Sequence, residues 1–140
     1  GFFNFLKYIN NTMSFSYNKE DKLKQKKVID RLFSSGESVG QYPLRLVYIT
    51  DDPINDGAFK IGVSVSKRYF KKAVERNKIK RIIREAFRLQ KPHVETIIKA
   101  QCNNGVYGMI LYNGDEIPGF EDLHKCMSNL WLKFESKKKR

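Results

Sequence analysis

The sequence predicts an α+β or α/β sandwich in which helices pack against one β-sheet. The stretches 42–50 and 59–66 alternate as strands do, and 106–112 is a third strand-like run. Around them, apolar residues recur at the three- and four-residue spacing of a helix. The chain has 140 residues, 41% of them hydrophobic, which is enough for one core but not for two.

The elements can be taken in chain order. A first helix over about 25–34 has an apolar stripe and ends at Gly36, a usual position for a helix stop: Val28, Ile29, Leu32 and Phe33. The strand 42–50 places two sets on opposite faces, namely Leu44, Leu46 and Tyr48 on one and Arg45, Val47 and Ile49 on the other. A polar turn over 51–57 and the strand 59–66 follow. The small residues of that strand leave room for close approach: Gly62, Ser64 and Ser66.

A strongly basic helix comes next. The stretch 67–91 contains eleven lysines and arginines and two acids, so it carries most of the chain's net charge of +12. One face is apolar, with Ile79, Ile82, Ile83, Ala86 and Phe87, and another is basic, with Lys80, Arg84 and Arg88. We expect this helix to end near Pro92, because proline lacks the amide that the helix needs. The strand 106–112 and a last helix follow, whose stripe is Phe120, Leu123, Met127, Leu130, Trp131 and Phe134.

The basic face has three interpretations: a solvated surface, a membrane-surface or calmodulin-type helix, and a nucleic-acid interface. Crowded arginines repel one another unless a polyanion neutralises them. A membrane helix would favour Trp, Phe or Leu on its apolar face, whereas this face is rich in isoleucine, and the chain has no run near the ~18–20 apolar residues that a membrane span requires. Nucleic acid is therefore the favoured partner.

The sequence offers little for catalysis by the protein itself. Cys102 and Cys126 form no CxxC pair, and His93 and His124 lie at no metal-ligand spacing from them. A disulfide between the cysteines has no support in their spacing, and a reducing cytosol is the simpler assumption. The paired acids fall in turns or at a helix start, so a metal-dependent nuclease acting alone is disfavoured.

A long motif then indicates a family. The run Val63-Ser64-Val65-Ser66-Lys67-Arg68, followed by Ala73-Val74-Glu75-Arg76-Asn77-Lys78-Ile79-Lys80-Arg81-Ile82-Ile83-Arg84-Glu85, closely resembles the signature of the bacterial ribonuclease P protein subunit. The similarity extends over most of 22–134. Three departures stand out: Lys78 replaces the last arginine of an Arg-Asn-Arg core, the turn Tyr69–Lys72 lacks the usual glycine and is one residue longer, and Ile29 and Val47 replace aromatic residues.

The resemblance implies an α-β-β-β-α-β-α fold with a left-handed β-α-β crossover around the basic helix. It also implies a subunit of the ribonucleoprotein that removes 5′ leaders from precursor tRNA. We expect this subunit to be cytoplasmic, to bind no membrane and to be monomeric within the ribonucleoprotein. In this family the RNA subunit carries the active site and its Mg²⁺, and the protein is not the catalyst. A ribosomal or other structural RNA-binding protein is the alternative, but such proteins do not share this signature.

The resemblance further implies two sets of site residues. The contacts to the RNA subunit are Lys67, Arg68, Arg76, Asn77, Lys78, Arg81, Arg84 and Arg88. The contacts to the precursor-tRNA leader, in a cleft between the first helix and the sheet, are Ile29, Phe33, Arg45, Val47 and Lys80. A core position for Phe33 is an equal alternative. We expect a single RNA-binding domain over 13–136, an N-terminal extension over 1–12 that is partly disordered, and a loose basic tail over 137–140.

Overall fold

The structure, a computed structural model, describes residues 29–50, 59–102 and 105–138. Its elements in chain order are α1 (residues 29–35), β1 (Glu37–Gln41), β2 (Leu44–Thr50), β3 (Phe59–Val65), α2 (Ala73–Gln101), β4 (Val106–Tyr112) and α3 (Phe120–Lys138). This order confirms the predicted α+β class and its α-β-β-β-α-β-α arrangement. The predicted extension 1–12 and the polar turn 51–57 lie outside the described residues.

The four strands form one sheet in the order β1-β2-β4-β3. The pairs β1–β2 and β2–β4 are antiparallel, whereas β3 and β4 are parallel neighbours. Parallel neighbours need a long crossover connection, and α2 supplies it. The left-handed crossover that the resemblance implies therefore concerns this β3-α2-β4 unit, and its hand stays a prediction.

The alternation of β2 separates two packing faces, as predicted. Leu44, Leu46 and Tyr48 belong to the main core, together with apolar residues of α2 and α3. Val47 and Ile49 point to the other face, where α1 packs. Strand side chains alternate between faces, so one strand can serve both layers. The sheet thus lies between α1 on one side and α2 and α3 on the other.

The helix α2 continues through Pro92, so the predicted end at this residue is wrong. A proline inside a helix costs about 3 kcal/mol, because it removes one hydrogen bond and crowds the preceding turn. Beyond it, Val94, Ile97 and Ile98 are all buried in the main core. Burying each of these side chains contributes about 1.5–3 kcal/mol, so their burial together outweighs the proline.

The last helix confirms the predicted apolar stripe except at Phe120, which is 39% exposed. Trp131 and Phe134 are fully buried, and the Phe134 ring meets Tyr48 edge-on with centroids 4.8 Å apart. The sequence predicts a loose tail from residue 137, but the helix continues to Lys138. The correction has a local cause, since Lys137 Nζ donates to the Ser38 carbonyl at 2.9 Å and so ties the last turn to β1.

Three smaller features complete the fold. α1 ends before Gly36 as predicted, and a larger residue would not fit there, because a Cβ at this position would lie 2.2 Å from the Leu32 carbonyl oxygen. The cysteines are free and buried, and Cys126 Sγ donates to the Gln41 carbonyl at 3.0 Å. Among the described residues, no helix has the length and apolarity needed to cross a bilayer.

Candidate nucleic-acid interface

The outer side of α2 presents a basic surface. Ile79, Ile83 and Ala86 are fully buried and fix the opposite side of the helix to the main core. Since successive residues turn by about 100° around a helix, positions two residues from this stripe point away from the core. The basic and amide side chains exposed on that side are Asn77, Arg81, Arg84 and Arg88, and Lys78, one residue before Ile79, is exposed on its flank. We call these five residues the basic face; all of them belong to the predicted RNA-subunit contacts.

Arg88 has an acidic partner, Glu85, which lies beside this face. Its guanidinium forms a two-pronged ion pair with Glu85, with Nη2 at 2.6 Å from Oε1 and Nε at 3.0 Å from Oε2. The hydrogen bonds from Arg88 lower the pKa of the Glu85 carboxyl. Both side chains are largely exposed, so a phosphate can compete with Glu85 for Arg88.

Lys80 does not lie on the exposed face where the sequence predicts it. Only 8% of the residue is exposed, which places it at the border of the buried stripe. Burial, followed by the positive charges of Arg84 and Arg76, lowers the pKa of the Lys80 ammonium. A long aliphatic stem explains how a lysine is tolerated at this border, because it can pack while the amino group reaches outward.

Arg76 is committed to the protein's own backbone. Its Nη1 donates to the carbonyls of Phe70 and Lys71, at 2.8 and 2.9 Å, just before α2 begins. The predicted contacts Lys67 and Arg68 lie in the turn that these bonds hold. Lys67 is half-buried, whereas Arg68 is exposed and its guanidinium lies 5.3 Å from the centre of the Tyr69 ring.

A second surface lies between α1 and the sheet. Ile29 is 4% exposed and packs with Met109 and Leu111 of β4. Phe33 is only half-buried and packs, with Val47, against this cluster and its neighbour. The structure therefore brings Ile29, Phe33 and Val47 together as predicted. It also distinguishes them, since Ile29 is buried in the floor while Phe33 is only partly buried.

Arg45 lies at the rim of this second surface, which we call the groove under α1 and which consists of Ile29, Phe33, Val47, Met109 and Leu111. It is exposed and pairs across the sheet with Leu111, which belongs to the groove's floor. Its Nη1 donates to the Ser38 hydroxyl at 3.2 Å. Gly40 leaves the space for it, because a Cβ there would lie 2.8 Å from Arg45 Nη2. The arrangement joins an apolar floor to a basic edge.

Comparison with known proteins identifies the family of this chain. A family model described as Ribonuclease P matches residues 17–135. The ribonuclease P protein component of Porphyromonas gingivalis is 31% identical over 116 residues, which is 81% of this chain and 82% of the relative. The chain belongs to the ribonuclease P protein family. Membership implies an RNA partner in a ribonucleoprotein and a role in processing the 5′ ends of tRNA.

Solved ribonuclease P proteins share the fold. The Staphylococcus aureus protein superposes with a TM-score of 0.57 at 23% identity, covering 85% of this chain and 92% of that one. The Thermotoga maritima protein gives a TM-score of 0.56 at 20% identity, covering 77% and 92%. The family assignment also sets aside the alternative of a ribosomal protein.

Two residues beside the predicted ribonuclease P sites were not identified from the sequence. Tyr69 is 49% exposed next to Arg68. Lys60 of β3 lies 6.0 Å from the ring centre of Tyr107, a residue of the same sheet face as the groove. The two-residue alternation of β3 could have indicated Lys60, because Lys60, Gly62 and Ser64 follow one another on the same face of the strand.

Proposed function

We propose that this chain is the protein subunit of ribonuclease P, that its basic face binds the catalytic RNA subunit, and that the groove under α1 binds the 5′ leader of precursor tRNA. The observation that carries the proposal is the basic face on α2. Its cations stand opposite a fully buried stripe, so the helix cannot turn them away from a partner without breaking the core. A rigid row of this kind neutralises phosphates and releases counterions.

The division of labour follows the family resemblance. In this proposal the RNA subunit carries the chemistry of phosphodiester hydrolysis, with Mg²⁺ in the RNA active site, and no residue of this chain is assigned to hold the ion. The protein is monomeric within a cytoplasmic ribonucleoprotein. Its own contribution is to bind, through phosphates at the basic face and through bases in the groove.

The leader assignment rests on the chemistry of the groove. Unstacked bases of any sequence present an apolar face, and an aromatic side chain that is only partly buried, such as Phe33, can accept it. Arg45 at the rim can meet the phosphates that point outward. The family resemblance assigns Lys80 to the leader, but this arrangement does not need it, and Lys80 lies at the border of the buried stripe of α2.

The test is reconstitution with the RNA that copurifies from the source cells. The protein alone should not cut a precursor tRNA, and the protein with that RNA and Mg²⁺ should give a correct 5′ end. In the same assay, Arg81→Ala should weaken RNA binding and reduce the slope of log affinity against log salt by about one phosphate contact. Lys125→Ala, an exposed charge of α3, is the matched control and should change neither. Accurate cleavage by protein free of RNA would refute the proposal.

A further inference from the structure

The turn between β3 and α2 is held at two points although it contains no glycine. It covers residues 66–72. The first point is Phe70, which is 4% exposed in the main core and whose ring centroid lies 6.1 Å from that of Tyr112. From the helix, Arg76 donates to two carbonyls of the turn, those of Phe70 and Lys71. Lys72, the residue that caps α2, makes no side-chain cap bond. The second anchor of the turn is therefore Arg76.

This turn displays a cation and an aromatic ring side by side. Arg68 is exposed, and its guanidinium lies over the half-exposed ring of Tyr69. The Arg68 amide donates to the Ser66 hydroxyl at 3.0 Å, which orders the backbone at this point. A guanidinium can pair with a phosphate, and an exposed ring can stack with an unpaired base. Together they form a small surface that fits single-stranded or looped RNA.

Arg76 is half-buried and differs in this respect from the exposed Arg81. We propose that Arg76 is a positioning residue, which holds the 66–72 turn so that Arg68 and Tyr69 contact the phosphates and an unpaired base of the RNA subunit. The inference rests on the proposed function, because it assumes that the RNA subunit is the partner. It changes the role of Arg76 from a phosphate contact to a support for other contacts.

The decisive experiment measures RNA-subunit affinity over a series of salt concentrations in two backgrounds. One is the wild-type chain, and the other carries Arg68→Ala and Tyr69→Ala, which strip the turn. In the wild type, Arg76→Ala should weaken binding by about tenfold, since the turn loses its tether. In the stripped background the same change should weaken binding by less than about twofold and leave the salt slope unchanged.

Equal losses in both backgrounds, with a slope that falls by about one each time, would show a direct phosphate contact and overturn the inference. No loss in the wild type would overturn it too. Arg81→Ala separates a failure of this inference from a failure of the proposed function, because a direct phosphate contact must reduce the salt slope in both backgrounds. If Arg81→Ala has no effect, the proposed function fails at the basic face, whatever Arg76 does.

A second measurement needs no substitution and so does not depend on the folding of a variant. Phenylglyoxal modifies accessible arginines, and mass spectrometry locates the products. Arg76 should already be protected in the protein without RNA, whereas Arg81 should become protected only when the RNA subunit binds. Rapid modification of Arg76 in the protein alone would refute the tether.

Discussion

Replacing Phe33 by alanine tests whether the groove under α1 binds the leader. Phe33 and Ile29 are four residues apart on one face of α1, but Ile29 is 4% exposed and Phe33 is only half-buried. Removing a fully buried phenylalanine costs about 3–5 kcal/mol of unfolding free energy. Because Phe33 is only partly buried, we expect Phe33→Ala to cost about 2 kcal/mol.

The remaining effect of Phe33→Ala should be a weaker affinity for the leader. A stacked base contributes about 1–3 kcal/mol, which corresponds to about a 5- to 150-fold loss of affinity. The assay compares the holoenzyme's affinity for precursor tRNA with a leader of several nucleotides and for mature tRNA. Phe33→Ala should weaken only the first, and urea unfolding of the same variant gives its stability.

Ile29→Ala is the matched control on the same helix face. It should cost about 2–5 kcal/mol of stability, because it leaves a cavity against Met109 and Leu111. Ile29 is buried and offers no surface to a base, so where the protein remains folded its affinity for the leader should fall less than in Phe33→Ala. A large loss of stability in Phe33→Ala with equal effects on both tRNAs would place Phe33 in the core and refute the reasoning.

Two further predictions concern single polar groups. Burial raises the pKa of the Tyr48 and Tyr112 hydroxyls to about 12, above their ordinary value of 10.0, so stability should fall as pH rises from about 10, and less steeply in either Phe variant. At pH 7, urea unfolding of Tyr112→Phe should show a loss of about 0.5–1.5 kcal/mol in unfolding free energy, because its hydroxyl donates to a loop carbonyl. Tyr48→Phe should lose almost none, because the buried Tyr48 hydroxyl has no partner among the described residues. A larger loss for Tyr48→Phe than for Tyr112→Phe would contradict this prediction. Glu85→Gln should strengthen RNA binding and steepen its salt dependence, because it releases Arg88, whereas Glu121→Gln at the start of α3 should do neither. An unchanged salt slope in Glu85→Gln would exclude Arg88 from the interface.

The sequence predicts elements best where one period dominates. The alternation of Leu44, Leu46 and Tyr48 assigns the core face of β2 correctly, because a two-residue period leaves no other face for them. The residues of the short strand β1 do not predict a strand by themselves, since none of the five is buried and they show no apolar alternation. Only the family resemblance implied a third strand before α2.

The end of α2 shows the limit of a local rule. Pro92 is a strong stop signal when only neighbours in sequence are considered. The apolar spacing resumes after it at Val94, Ile97 and Ile98, and these residues meet a core built by distant segments. The tertiary contribution outweighs the local one, and a prediction made from propensity could not compare the two.

The basic helix shows the same limit for site residues. Charge and spacing correctly predict a cationic outer side, but they group Lys80 with Arg84 and Arg88, and the family resemblance counts Arg76 among the RNA contacts. In the structure, Arg76 binds the turn before the helix, Lys80 lies at the core border, and Arg88 pairs with Glu85. These differences depend on partners that helical periodicity alone does not specify, so the sequence could predict the surface but not the role of each cation.

The distinction bears on how this chain would use its variant of the Arg-Asn-Arg core. The first arginine, Arg76, holds backbone carbonyls, and the third position is Lys78, whose ammonium acts as a point charge without a planar fork. In the proposed interface, two-pronged phosphate contacts next to this core then come from arginines further along α2, Arg81 and Arg84, which are exposed. Their substitution by lysine, which keeps the charge, should therefore weaken RNA binding more than the change Lys78→Arg strengthens it.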